Sequence, residues 1–409
     1  MRLSASLILL LLLAPAFADA KAKKVDDYHW TGVDRVIAIG DLHGDYERYF
    51  DVMQSAGLID KKGKWAGGKT HLVQTGDIPD RGPDTRKIID HLVKLSKQAK
   101  KKGGYIHMLI GNHEAMNVVG DLRYVSEGEY EAFTDKNSER LQALQWQHQL
   151  DWMKANMPDF ETLDVDAFYA EWKTRVPLGW VEHRQAWALN GDYGKLIKDN
   201  KVSVQINDSI FVHGGISAKY CQFSLESLTD QVITAMENFD PAVISIVDDP
   251  LGPLWYRGYA QEEKTEVYSQ TLDNILERYG AKRIVVGHSP TGGVIWPRFD
   301  QRVVLNDTGI AKYYGAHKGV LELTSNGINA IYGDQKVSLP KADSDRENYL
   351  RTVITFDSNN ALLKQRLASM LEPEGAKLVS ADTTDDGART AEDESASEIK
   401  PIPTPGTCQ

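Results

Sequence analysis

Five short segments of the chain place residue types that bind metal ions or phosphate directly after an apolar run. They are 40–44 (GDLHG), 76–82 (GDIPDRG), 111–114 (GNHE), 213–215 (HGG) and 287–288 (GH). Carboxylate, imidazole and amide oxygen are ligands that suit hard and intermediate divalent cations. Together, the five segments predict a two-metal centre that hydrolyses a phosphoester.

We expect six side chains from these segments to hold the two ions: Asp41, His43, Asp77, Asn112, His213 and His288. Asp77 is the natural bridging carboxylate. Two cations about 3.5–4 Å apart can activate a shared water and neutralise phosphate oxygens as charge develops. Ligand chemistry alone suits manganese, iron, zinc or cobalt. We expect two divalent ions per chain, with manganese as the metal.

Two further tasks remain in such a reaction. The leaving oxygen needs a proton, and His113 beside Asn112 is the candidate general acid. Asp80 could accept a hydrogen bond from the other ring nitrogen and keep that imidazole cationic. Arg81 and Arg257 offer planar forks that match phosphate oxygens. The set predicts direct in-line hydrolysis without a phosphoenzyme.

The segments need a scaffold that brings them together. Runs typical of strands precede them at 36–39, 71–74, 106–110, 210–212 and 284–286. Helical spacing or composition occurs at 46–56, 86–101 and 264–279. This alternation predicts an α/β layered fold, in which functional residues gather at the carboxyl ends of buried strands.

Two other regions carry predictions. The aromatic-rich stretch 118–200 has largely helical spacing and predicts an insertion beside the active site. The insertion could be a lid or substrate-selecting wall, or a helical layer that only closes the core. After His288, the runs 301–305, 319–323, 328–332 and 353–356 are typical of strands, which we expect to finish a second sheet.

The ends of the chain differ from the middle. Residues 1–20 have the charge and leucine run of a secretory signal peptide, so we expect an exported protein, periplasmic or secreted. The catalytic domain then spans 21–370, with no integral membrane segment after cleavage, and 371–409 is expected to be a disordered acidic tail. The net charge of −11 argues against nucleic acid as a partner. Spacing does not decide whether Cys221 and Cys408 pair.

The segments resemble the phosphoprotein phosphatase branch of the calcineurin-like metallophosphoesterases. The sequences at 76–85 (GDIPDRGPDT) and 255–258 (WYRG) are similar to those of the Shewanella-like protein phosphatases. The resemblance implies a layered β-sandwich flanked by helices, and it implies the ligand, acid and arginine roles given above. It also implies a phosphorylated protein or peptide substrate, carrying phosphotyrosine, phosphoserine or phosphothreonine, with small phosphomonoesters as further candidates.

The chain departs from that pattern in two places. Pro79 replaces the usual valine, and 305–309 (LNDTG) stands where the common serine/threonine enzymes have Ser-Ala-Pro-Asn-Tyr. These differences leave the substrate open. The alternatives are a hydrolase of dinucleoside polyphosphates or of another phosphoanhydride or diester, and an inactive metal-binding module.

Overall fold

The computed structural model describes residues 23–371 and residue 408. Thirteen strands occur in this part of the chain: β1 Lys23–Lys24, β2 His29–Thr31, β3 Arg35–Ile39, β4 His71–Gln74, β5 Tyr105–Met108, β6 Ser203–Ile206, β7 Ser209–Val212, β8 Arg283–Val286, β9 Trp296–Arg298, β10 Val303–Leu305, β11 Gly319–Thr324, β12 Gly327–Tyr332 and β13 Gln335–Ser338.

Thirteen α-helices accompany the strands over the same described residues. They are α1 Tyr46–Ser55, α2 Thr85–Lys101, α3 Asn112–Val119, α4 Glu127–Glu131, α5 Ser138–Asn156, α6 Val165–Arg175, α7 Trp180–Trp187, α8 Asp192–Asp199, α9 Leu225–Glu237, α10 Gly258–Gln261, α11 Glu266–Tyr279, α12 Arg346–Phe356 and α13 Ala361–Leu371.

The strands form two sheets. The seven-stranded sheet has the order β1-β2-β6-β7-β8-β10-β9, and the six-stranded sheet has the order β13-β12-β11-β3-β4-β5. Within them, β3, β4 and β5 are mutually parallel neighbours, as are β7, β8 and β10. The strands that precede the predicted site segments therefore end at a common edge of each sheet.

Burial explains why these runs become strands. Ile37, Leu72 and Phe211 are each fully buried, and side chains of both sheets belong to one continuous core. A strand covered on both faces is apolar along its whole length, as these are. On α2, Ile88, Leu92 and Leu95 recur at helical spacing and face the same core. The predicted α/β layered fold is confirmed.

Two predictions about the last part of the chain were wrong. The run 353–356 is not a strand but the last turn of α12, where Tyr349, Leu350 and Val353 are buried at helical spacing. The other three runs do not form one sheet. β10 pairs with β8, whereas β11 pairs with β3 and extends the other sheet. β-branched residues favoured the strand assignment at 353–356, but the helical period of the buried positions prevailed.

Between Val119 and Asn200 the chain forms the helices α4 to α8. The expected signal peptide at 1–20 lies outside the described residues. So does the expected acidic tail, apart from Leu371 and Cys408. Cys408 forms a disulfide with the buried Cys221, which answers the pairing that spacing left open. Within the described ranges, no helix is long and apolar enough to span a membrane.

Candidate active site

The predicted ligands converge where strands of both sheets end. Asp41, Asp77 and Asn112 follow β3, β4 and β5, and His213 and His288 follow β7 and β8. All five are buried. The turns that present them are unusual, since φ is positive at Asp77 (59°) and at His288 (63°). Left-handed backbone at non-glycine residues costs roughly 1–3 kcal/mol each and is concentrated at functional sites.

Two glycines allow the loops to approach one another. A Cβ atom at Gly111 would lie 2.2 Å from Oδ1 of Asp77, and one at Gly287 would lie 2.5 Å from Oδ1 of Asp41. Both distances are far inside van der Waals contact. The glycines that precede Asn112 and His288 in the sequence are therefore required by the carboxylates of neighbouring loops.

Three imidazoles are fixed by backbone carbonyl oxygens. The donor nitrogens and their acceptors are His43 Nδ1 with Pro79 O (3.2 Å), His213 Nδ1 with Thr75 O (2.8 Å) and His288 Nε2 with Trp255 O (3.2 Å). A carbonyl oxygen only accepts, so each of these nitrogens carries the proton. The opposite nitrogen of each neutral ring then presents a lone pair, which is how metal-binding imidazoles are usually oriented.

One group of lone pairs surrounds His213. Its Nε2 atom lies 2.8 Å from Oδ1 of Asn112, 3.2 Å from Oδ2 of Asp77 and 3.2 Å from Nδ1 of His288. In these neutral tautomers, none of the four atoms is a donor toward the others. Burial acts to lower the pKa of His213, but the charge of Asp77 outweighs it and raises the pKa, so a proton on Nε2 is favoured where no cation is bound. Four electron-pair donors held this close are complementary to a cation.

A second group lies around His43. Its Nε2 atom is 3.9 Å from Oδ2 of Asp77 and 4.0 Å from Oδ2 of Asp41. Burial, followed by the nearby imidazole of His113, lowers the pKa of His43 to about 3. The ring is therefore neutral and able to bind a metal. Because Oδ2 of Asp77 faces both groups, the residues fit two cations with Asp77 between them.

The buried carboxyl groups also indicate that the site binds cations. Burial raises the pKa of Asp41 well above its ordinary value, and the carboxylates of Asp307 and Asp77 add to this effect. Burial also acts to raise the pKa of Asp77, but the imidazoles of His213 and His113 lower it well below its usual range. Carboxylates crowded in a dry cavity are stabilised by cations.

Asp307 stabilises a turn and also faces the site. Its Oδ1 atom accepts the backbone N–H of Gly309 at 2.9 Å. It also lines the same cavity as Asp41, His113 and Arg257. The signal for it was present in the sequence, since Asp307 follows the buried strand β10 as Asp41 follows β3.

His113 forms a buried pair with Asp80. Its Nδ1 atom lies 2.5 Å from Oδ2 of Asp80, and the other carboxylate oxygen accepts from Nδ2 of Asn117 at 2.9 Å. Burial lowers the pKa of His113, but the charges of Asp77 and Asp80 outweigh it and raise the pKa to about 9. The imidazole therefore holds a proton at neutral pH and can donate it.

Glu114 supports the ligands without facing the cavity. Its carboxylate accepts the backbone N–H groups of Asp77 (2.9 Å), Ile78 (2.7 Å) and Gly111 (2.8 Å). It joins the loop after β4 to the loop after β5. The short helix α3 begins immediately after Gly111 and holds Asn112 and His113 on its first turn.

The two predicted arginines are anchored differently. Arg257 donates through Nη1 to the backbone oxygen of His288 at 2.7 Å. The guanidinium of Arg81 lies 3.9 Å from the ring centre of Tyr124 and 4.7 Å from that of Tyr313. Among the described residues, Nε and Nη2 of Arg81 have no hydrogen-bond partner although both atoms are buried. The guanidinium group of Arg81 therefore stacks on two aromatic rings, while its Nε and Nη2 atoms could donate hydrogen bonds to a ligand.

Aromatic residues that the sequence motifs did not indicate pack against Arg81 and against the histidines of the site. Tyr124 packs on the imidazole of His113 with ring centres 5.1 Å apart, and Tyr314 packs on that of His43 at 5.0 Å. Tyr314 also lines the metal cavity, and the side chain of Tyr313 is 58% exposed. Their positions depend on the tertiary fold, because no motif residue adjoins them in sequence.

Comparison with known proteins agrees with this geometry. Residues 34–292 match the calcineurin-like phosphoesterase family. An uncharacterized protein of Schizosaccharomyces pombe is 31% identical over 302 residues, covering 72% of this chain and 79% of its own length. Shewanella-like protein phosphatase 2 of Arabidopsis thaliana is 30% identical over 291 residues, covering 68% of this chain and 72% of its own length.

A solved structure gives the same result. The crystal structure of the cold-active protein-tyrosine phosphatase of a psychrophilic Shewanella species superposes with a TM-score of 0.58 at 26% identity, over 77% of this chain and 83% of that one. The resemblance stated from the sequence motifs is thereby confirmed. The chain belongs to the calcineurin-like phosphoesterase family, and its relatives include the Shewanella-like protein phosphatases.

Proposed function

We propose that the protein is a metal-dependent protein phosphatase that hydrolyses phosphomonoesters by in-line attack of water without a covalent phosphoenzyme. The observation that carries this proposal is the convergence of lone pairs around His213 and His43, with the protonated His113 beside them. Two bound divalent cations would activate water and neutralise charge on the phosphate. Asp41, His43 and Asp77 would hold one ion, and Asp77, Asn112, His213 and His288 the other.

The chain's own residues would supply the remaining parts of the reaction. His113 would give its proton to the leaving oxygen, and Asp80 would hold the ring in the orientation that does so. The spare donors of Arg81 would bind phosphate oxygens, since a guanidinium fork matches that geometry. Arg257, fixed by the backbone of His288, would provide a second positive charge.

We further propose that phosphotyrosine is the preferred substrate. The rings of Tyr124 and Tyr313 stack with Arg81 beside the site, and Tyr314 lines its cavity. Aromatic side chains at this place offer flat apolar surface to a phenyl ring, and aromatic pairs contribute roughly 0.5–1.5 kcal/mol beyond the area they bury. The methylene group that carries the phosphate in phosphoserine would gain little from them.

The test compares turnover on a phosphotyrosine peptide, a matched phosphoserine peptide and a dinucleoside polyphosphate, with manganese, iron, zinc or cobalt added. We expect manganese to support the highest activity and the phosphotyrosine peptide to have the highest kcat/KM. A dinucleotide hydrolysed faster than either peptide would overturn the proposal in favour of a phosphoanhydride hydrolase. Metal binding without turnover of any substrate would identify an inactive binding module.

We also propose that the protein is exported, to the periplasm or the medium. The signal-like sequence at 1–20 supports this, and so does the Cys221–Cys408 disulfide, since such bonds persist in oxidising compartments. Cell fractionation with an antibody to the chain tests it. Recovery of the uncleaved, reduced chain from the cytoplasm alone would contradict it.

A further inference from the structure

The loop that carries Asp80 and Arg81 holds a backbone conformation that residues with side chains rarely adopt. The angle φ is 74° at Asp80 and 66° at Arg81. Consecutive non-glycine residues remain in the left-handed region only where the surrounding structure over-determines them. Fixed acceptors for their backbone N–H groups are one way to achieve this.

Both acceptors come from the segment that follows α3. The N–H of Arg81 donates to the backbone oxygen of Tyr124 at 2.9 Å. The N–H of Asp80 donates to Oε2 of Glu129 on α4 at 3.2 Å. Glu129 is fully buried, which is rare for a carboxylate unless it has a specific partner. The insertion therefore reaches the loop of the predicted acid through a buried side chain.

Helix α4 is docked on the same loop at two more points. Oγ of Ser126, the residue that caps α4, donates to the backbone oxygen of Gly82 at 3.0 Å. A Cβ atom at Gly128 would lie 2.7 Å from Cβ of Pro83, so only glycine permits this approach. Three contacts along one face thus fix α4 against residues 80–83.

Behind Glu129 lies His183 of α7. Its Nε2 atom is 3.6 Å from Oε1 of Glu129, and the rings of Tyr130 and Phe133 contact the imidazole edge-on at 5.2 and 5.1 Å. Burial, followed by the charge of Asp80, raises the pKa of Glu129 well above its usual value, and burial lowers the pKa of His183 to about 3. Both shifts favour the uncharged forms of the pair, and the contact of Glu129 with the loop is the hydrogen bond that its Oε2 atom accepts from the N–H of Asp80.

We propose that Glu129 is a positioning residue for proton donation to the leaving group. By accepting the N–H of Asp80, it fixes the carboxylate that orients His113. The insertion thus holds the proton donor in position without contacting the substrate. This inference rests on the role proposed above for His113. It also assigns part of the 118–200 stretch a task that neither a lid nor a simple core layer would have.

The experiment uses two aryl phosphates with leaving groups of different acidity. p-Nitrophenol is acidic enough to leave without a proton, whereas phenol is not. We expect Glu129→Ala to lower kcat on phenyl phosphate by roughly 10- to 100-fold and on p-nitrophenyl phosphate by less than about threefold, with KM little changed. Glu129→Gln keeps an acceptor for the Asp80 N–H and should restore kcat on both substrates.

Controls separate this role from a merely structural one. Glu131→Ala, an exposed position on the same helix, should leave both rates unchanged. If Glu129→Ala does not fold, Glu129→Met fills the same space without accepting a hydrogen bond and takes its place. Equal losses on the two substrates, or no loss, would overturn the inference. If His113→Asn itself shows no dependence on the leaving group, the proposed role of His113 fails instead.

Discussion

Nδ1 of His113 and Oδ2 of Asp80 lie 2.5 Å apart inside a pocket that excludes solvent from both side chains. At this distance the carboxylate both orients the ring and stabilises its protonated form. The pair thus couples two properties that a general acid needs, namely a fixed direction of donation and a proton that is present at neutral pH.

Asp80→Asn should separate these two properties. Asparagine can still accept from the ring but carries no charge, so the pKa of His113 should fall from about 9. In the role proposed for His113 the protonated form is active, and this form is lost as pH rises through that pKa. We expect the alkaline limb of the kcat profile to move down by roughly one to three pH units. An unchanged limb in the variant, measured from pH 6 to 10, would contradict the assignment.

Asp77→Asn should empty both metal positions together. Oδ2 of Asp77 faces His213 at 3.2 Å and His43 at 3.9 Å, so loss of its charge weakens both groups. We expect metal content measured by elemental analysis to fall from two ions per chain to below one. Turnover should fall by more than about 100-fold. Asp199→Asn, at an exposed position on α8, is the matched control and should retain both ions.

Arg81→Lys should weaken phosphate binding although the positive charge is kept. Lysine has no planar fork and cannot stack between Tyr124 and Tyr313 as the guanidinium does. We expect kcat/KM on a phosphotyrosine peptide to fall by roughly 10- to 100-fold. Arg86→Lys, whose guanidinium stacks on Phe133 instead, should change it by less than about threefold. Equal effects of the two substitutions would contradict the proposal.

The protein should lose stability in acid partly through His71 and His107. These rings are buried against each other, with Nδ1 of His71 3.1 Å from Nε2 of His107, and Trp30 packs on both. Burial lowers the pKa of His71 to about 4. A pKa below the unfolded value means that the unfolded chain binds more protons, so stability falls as pH drops from about 6.5 to 4.

For His71 this loss is roughly 3 kcal/mol by pH 4. His71→Gln does not titrate and keeps a hydrogen-bonding partner for His107. We expect its melting temperature to fall less steeply than that of the wild type between pH 7 and pH 4.5. If the melting temperatures of the variant and the wild type fall equally with pH over this range, these imidazoles do not contribute to the loss of stability.

Cys408→Ser should destabilise the domain without changing its chemistry. The disulfide joins Cys221, which is 1% exposed, to a residue 187 positions away. Loss of a native disulfide typically costs roughly 2–5 kcal/mol. We expect a lower melting temperature, matched by that of the wild type under reducing conditions, and an unchanged kcat on p-nitrophenyl phosphate. A variant as stable as the oxidised wild type would contradict the pairing.

The positions of the candidate ligands could be predicted from sequence because each lies within four residues of the end of a buried strand. Apolar runs before Asp41, Asp77 and His213 fix both the strand and the place where it ends. The grouping of strands into sheets could not be predicted in the same way. β11 pairs with β3 across more than 280 positions of sequence, and local pattern carries no information about such pairing.

The role proposed for the insertion could not be predicted from the sequence, for a different reason. Glu129 acts through the backbone N–H of Asp80. Because nearly every residue type has a backbone N–H, this contact does not require a recognisable residue at either position in a motif. His183 and Gly128 likewise owe their positions to contacts with elements distant in sequence. A motif therefore indicates which side chains face the substrate, but it does not indicate the distant residues that fix the conformation of the motif's loop.

The ligands come from strand ends of two separate sheets, so no fragment shorter than 41 to 288 contains a complete set. On the proposed export route, a chain that crosses the membrane unfolded would have no preformed site for an ion. Both cations would be acquired only where the sheets come together. If the chain is exported as proposed, the metal it binds would depend on the ions available in the compartment where it folds, and not on those in the compartment where it is synthesised.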